Sequence, residues 1–143
     1  MKLVMTLLVR DEDDIIAQNL DHHLAQGVDT FIVTDNGSTD GTLPILRGYE
    51  RRGLLELIEE PAQNYAQALW VTRMAERAVA INADWVIHAD ADEFWVAAQQ
   101  GRRVRDVVEQ LSQAEPVHRV QRWNAVLRRR QANLDRVEPR EIR

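Results

Sequence analysis

The chain has no cysteine in its 143 residues, which excludes disulfide bridges, thiolate zinc sites and cysteine nucleophiles. It also lacks an apolar run long enough to span a bilayer. The opening stretch MKLVMTLLVRDEDD turns acidic where a signal-peptide cleavage site would be small and neutral. That stretch reads as a buried strand, and the protein as cytoplasmic. No repeat or low-complexity tract is present. Neither GxGxxG nor GxxxxGKS/T occurs, so typical Rossmann dehydrogenases and P-loop enzymes are excluded, and any phosphate must be held by a metal instead of a glycine cradle. Basic charge is scarce as well: 18 Lys and Arg face 23 Asp and Glu, a net charge of −5, which argues against a nucleic-acid partner.

What is present is the composition of one globular domain, 45% hydrophobic and 29% charged. A chain of this length buries about two thirds of its unfolded surface without staples. The charge is unevenly spread. Residues 1–100 carry 7 basic and 17 acidic side chains, whereas residues 101–143 carry 11 and 6. The acidic part is expected to hold the chemistry.

Hydrophobic patterning gives alternating strands and helices. Leu3 to Val9 is a continuous apolar run; DEDD then supplies an N-cap and first-turn acids for a helix carrying Ile15, Ile16, Leu20 and Leu24, ended by Gly27. Thr30 to Thr34 is a short β-branched strand running into the turn-rich DNGSTDGT. Leu43 to Arg52 is helical and closed by Gly53, and Leu54 to Ile58 is a third strand. Asn64 to Asn82 is helical with Ala68, Val71, Ala75, Ala78 and Val79 on one face, and Asp84 to Ala89 is a fourth strand. A helix follows at Val104 to Leu111, with a further strand expected over 117–127. Alternation with fully apolar strands predicts an α/β fold whose mainly parallel sheet is covered on both faces. In the doubly wound order 3-2-1-4, ligands bind at the carboxyl ends of strands beside the switch point between strands 1 and 4.

Three polar clusters fall at those ends. Arg10, Asp11 and Glu12 follow strand 1, Asp35-Asn36-Gly37-Ser38 follows strand 2, and Asp90-Ala91-Asp92-Glu93 follows strand 4. Two carboxylates one residue apart, as in Asp90 and Asp92, can face one pocket where the chain turns. Magnesium or manganese needs few protein oxygens if it keeps its other positions for water and substrate phosphate. The ordinary alternative is a solvated turn, but the apolar WVIHA before the pair and Phe94 and Trp95 after it place it at the edge of a core. Asp35 is positioned to accept hydrogen bonds from a base N–H or a ribose hydroxyl, and Asp40 or Ser38 to cap the next helix. His22 and His23 read as surface or packing residues. His88 shares a face with Asp90 and Asp92 by alternation, with a satisfied core histidine as the first reading. Trp70, Trp85, Trp95 and Trp123 read mostly as core, with Trp95 placed where an acceptor can stack. Arg73 either pairs with a core carboxylate or reaches a diphosphate.

The stretches VMTLLVRDEDDIIAQNLDHHLAQGVDTFIVTDNGSTDGT and ADWVIHADADEFW together resemble the family 2 glycosyltransferases of the GT-A fold, in the branch with a DADEF-type signature. The likeness spans about residues 3–127. It implies a Rossmann-like three-layer sandwich that binds a nucleotide-diphosphate sugar through Mn2+ or Mg2+. It further implies that Asp92 ligates the cation, that Asp90 contacts the cation or the donor ribose, that Asp35 contacts the nucleoside, and that Arg10, Asp11 and Glu12 line the base and ribose pocket. Two departures stand out. Asn36 occupies the second position of what is usually an aspartate pair, and no general base is identified, since Asp106, Glu109 and Glu115 all read as ordinary surface charges.

The expectation is a nucleotide-sugar-binding domain over residues 1–127 with an incomplete acceptor half, and a basic tail over 128–143. Its function would be metal-assisted transfer of a sugar to a glycan, lipid or protein acceptor. The rival reading is a domain that binds nucleotide sugar without turning it over. A nucleotidyltransferase is disfavoured, because it would need a glycine-rich basic loop where DEDD stands.

Overall fold

The computed structural model describes residues 1–61, 66–111 and 117–122. The chain divides into two compact units, Met1–Leu111 and Ser112–Arg143. Of the second, residues 117–122 are described and form neither helix nor strand. The strand expected over 117–127 is therefore absent from its described part, where Val117 and Val120 are exposed instead of packed on a sheet face. Residues 123–127, Trp123, Glu115, the basic tail and the boundary at 127 lie outside the described residues.

The first unit runs β1 (Leu3–Val9), α1 (Ile16–Ala25), β2 (Thr30–Asp35), α2 (Thr42–Arg51), β3 (Leu55–Glu59), α3 (Gln67–Ala80), β4 (Trp85–Asp90) and α4 (Val104–Val108). Its sheet is parallel throughout and ordered β3-β2-β1-β4. β1 is a central strand and needs apolar residues on both faces. Leu3, Met5, Leu7 and Val9 pack with Phe31, Val33, Ile16, Leu20 and Leu46 on one face, and Val4 packs with Ile32, Met74 and Ala78 on the other. Leu3, Met5 and Leu7 have no exposed surface, and each such burial is worth about 1.5–3 kcal/mol relative to exposure. Steps from β1 to β3 and the return to β4 run in opposite directions. Right-handed crossovers then send α1 and α2 to one face and α3 to the other, as the two core clusters show.

Several local details depart from the sequence reading. DEDD does not enter the first turn of α1, which contains no acidic residue. The Asp11 and Asp13 carboxylates accept instead from the Thr39 and Gly41 amides, at 2.7 and 3.0 Å, and the Ile15 and Ile16 amides donate to the Glu12 carbonyl. The N-cap of α2 is Gly41, which has no capping side chain; Asp40 just before it accepts from the Thr42 amide through Oδ1 at 2.9 Å, while Ser38 Oγ accepts from the Asp11 amide. The buried face of α3 is Trp70, Met74 and Ala78. Ala68 and Val79 face outward. An apolar stripe of helical period can be drawn twice through this helix, and the one with the larger side chains is buried. Gly27 ends α1 at φ +93°, and a Cβ there would fall 2.6 Å from Arg105 Cβ, so both backbone conformation and packing require glycine.

No helix among the described residues is long and apolar enough to cross a membrane.

Candidate functional site

Sheet register brings the three polar clusters to one edge. Val9 pairs with Asp35 and Leu8 with Asp90, so β2, β1 and β4 end level with one another. Neighbouring strands lie about 4.8 Å apart, which sets Asp35 and Asp90 about 10 Å apart with β1 between them.

The turns after β1 and β2 are laced together. Asp11 takes up a left-handed backbone at φ 53°, a conformation aspartate tolerates better than most residues. Its amide donates to Ser38 Oγ at 2.9 Å, and its Oδ1 accepts from the Thr39 amide. The Glu12 amide donates to Thr42 Oγ1 at 2.7 Å, and the Asp13 amide to Asp40 Oδ2 at 3.2 Å. A Cβ on Gly41 would sit 3.0 Å from Asp13 Oδ2, so the close approach of the two turns uses that glycine. Arg10 stands at the rim, its Nε 3.7 Å from Asp11 Oδ2.

Asp35 is 2% exposed. Its Oδ2 accepts from the Ser38 amide at 3.1 Å, while its Oδ1, like Thr34 Oγ1 and Asn36 Oδ1, is buried without a partner. Leaving a buried acceptor unsatisfied costs about 1–3 kcal/mol. Thr34, Asp35 and Asn36 thus put three unsatisfied polar atoms in succession at the end of β2.

After β4 the chain turns, with the Glu93 amide donating to the Asp90 carbonyl at 3.1 Å. Ala91 is buried in the core, and the carboxyl-bearing Asp90 and Asp92 are exposed on either side of it. Burial raises the Glu12 carboxyl above its ordinary range, and the charges of Asp14, Asp92, Asp40 and Asp11 raise it further. Glu12 and Asp92 therefore share one field, although they belong to different loops. No cluster of three or more His, Asp or Glu among the described residues is arranged to hold a metal by itself. The donor set still fits a hard divalent cation bound jointly with a substrate. It offers the exposed oxygens of Asp90 and Asp92 and a surplus of negative charge that a cation would offset.

Other readings resolve individually. Arg73 pairs with Glu60 at 3.1 Å. Asp106 and Glu109 pair with Arg103 and Arg105 on α4. His88 is bonded as expected, its Nδ1 2.5 Å from Thr6 Oγ1, but it is not a core residue. It lines an open cavity of about 170 Å³ with Leu8, Val71, Met74, Asp90 and Glu93, and desolvation lowers its pKa. Trp95 is half-buried against the core, leaving Phe94 and Val96 as the exposed apolar residues beside the acids.

Sequence reasoning missed Asn19. Both of its amide hydrogens reach the β4 turn, at the Ala91 and Glu93 carbonyls. The available signal was a polar residue between Ile16 and Leu20 on the apolar face of a helix.

Residues 5–133, which carry all three strand-end clusters, match the sequence model of glycosyltransferase family 92. The chain belongs to that family. No curated protein matches it. The family number corrects the likeness to family 2, while the shared part stands: this is a glycosyltransferase domain on a GT-A-like parallel α/β sheet. A family 92 domain requires a sugar donor and an acceptor, and the level ends of β1, β2 and β4 are the edge at which this sheet presents its acidic side chains.

Proposed function

We propose that this family 92 domain takes its sugar from a nucleotide-diphosphate donor and passes it to an acceptor hydroxyl, assisted by Mn2+ or Mg2+. The observation that carries the reading is that Asp35 and Asp90 end the two strands flanking β1, one at the register of Val9 and the other at that of Leu8, so the turns that follow them leave the sheet at the same edge. Asp35 Oδ1, buried and unpartnered, accepts from a base N–H or ribose hydroxyl at one end. Asp90 and Asp92 hold the cation at the other, with Arg10, Asp11 and Glu12 forming the wall between them. A divalent cation bound there would offset charge on the departing diphosphate.

One observation favours a second reading, a domain that binds nucleotide sugar without transferring it. Among the described residues, the later carboxylates Asp106 and Glu109 are both paired with arginines, while Glu115 lies outside them.

Incubation of the chain with UDP-sugars and GDP-sugars in Mn2+ separates the two. Metal-dependent release of UDP or GDP supports the transferase. Binding without release at any acceptor or water concentration supports the second reading.

A further inference from the structure

We infer that Asn19, with His22 and His23 beside it on α1, is the positioning device for the Asp92 carboxylate, in the turn that follows Asp90. This rests on the metal-assisted reading above.

Asn19 is fully buried. Its Nδ2 donates to the Ala91 carbonyl at 2.8 Å and to the Glu93 carbonyl at 2.9 Å, the two carbonyls that bracket Asp92. Its Oδ1 lies 3.0 Å from His23 Nδ1, which is also 2.8 Å from the Asn19 carbonyl. The Trp95 amide donates to His23 Nε2 at 3.0 Å. A backbone amide can only donate, so Nε2 is the unprotonated nitrogen and Nδ1 carries the hydrogen. That tautomer donates to Asn19, which fixes the side-chain amide with its NH2 toward the turn. His22 Nε2 donates to the Trp95 carbonyl at 2.8 Å.

Residues 19, 22 and 23 occupy one face of α1 at helical spacing. They grip the backbone at 91, 93 and 95, the positions that face inward, while 90, 92 and 94 are exposed. Beyond β4 the chain has neither helix nor strand until α4, so this clamp substitutes for a sheet ladder. Partners that orient metal ligands without touching the metal typically matter by about 10–100-fold in metal affinity.

The test is calorimetric titration of the full chain with UDP and with GDP, in Mn2+ and in EDTA, for the parent, Asn19→Ala and Leu46→Ala. Leu46 is equally buried but lies on α2, away from the turn, so its variant reports the effect of lost core packing alone. Asn19→Ala is expected to lose about 10–100-fold of the manganese-dependent affinity, with Leu46→Ala unchanged. Parent-like binding by Asn19→Ala overturns the inference. So does an equal loss in Leu46→Ala, or an equal loss with and without metal, either of which would make Asn19 an ordinary core residue. If circular dichroism shows Asn19→Ala unfolded, the half-buried His22→Ala is read in the same way, with a severalfold loss expected and parent-like binding overturning the inference. Absence of manganese dependence in the parent defeats the metal reading itself, and this inference with it.

Discussion

His23 makes acid sensitivity a property of the loop that bears the acidic pair. It has no exposed surface, and burial lowers its pKa from 6.5 to about 4. Between those values the unfolded chain binds a proton that the native chain does not, so stability falls as pH falls. The contribution is fully present above pH 6.5, declines through the interval and is lost by about pH 4. At 1.36 kcal/mol per pH unit, the interval amounts to about 3 kcal/mol, a large share of the 5–15 kcal/mol typical of a domain. Protonation would also remove the acceptor of the Trp95 amide, so the loop after β4 is where the loss acts. Urea unfolding of the parent and His23→Gln from pH 4 to 7.5 measures this directly. The glutamine variant is expected to start less stable at pH 7 and to lose less on acidification, the two curves converging by about 3 kcal/mol. Comparison with the variant cancels the carboxylates and the other histidines. Parallel curves through the interval would show that burial does not hold His23 neutral below its ordinary pKa, and would refute the acid sensitivity assigned to it.

Other outcomes follow from the same geometry. Asp92→Asn should abolish manganese-dependent UDP or GDP binding in calorimetry while leaving the urea midpoint near that of the parent, because the side chain is exposed. Asp35→Ala should weaken nucleotide binding with and without manganese alike, since its buried carboxylate is assigned to the nucleoside. Gly27→Ala should cost about 1–3 kcal/mol in urea unfolding, because the residue sits at φ +93° with Arg105 Cβ 2.6 Å from any added methyl.

The sheet was legible because its strands are short, apolar and punctuated by glycine and acidic turns. Leu3–Val9, Thr30–Asp35 and the order β3-β2-β1-β4 follow from a period and a handedness rule. The positions of Asp35, Asp90 and Asp92 were legible for the same reason, since strand ends are counted along one chain. What sequence did not show depends on pairs far apart in it. Asp11 and Asp13 read as helix-starting acids, yet their partners are backbone amides 28 residues away. Asn19 reads as a polar residue spoiling an apolar face until the Ala91 and Glu93 carbonyls, 72 and 74 residues on, supply its purpose. The face of α3 was legible in part: Ala78 is buried and Val71 packs against the core, but Ala68 and Val79 face outward and the larger Trp70 and Met74 are buried in their place, because alanine and valine mark periodicity without marking volume.

The most direct measurement of the central claim is calorimetric titration of the chain with UDP and GDP, each with and without Mn2+. The account predicts that one nucleotide binds and that manganese strengthens it, through a single site at the ends of β1, β2 and β4. Binding of neither nucleotide in the presence of manganese would contradict it.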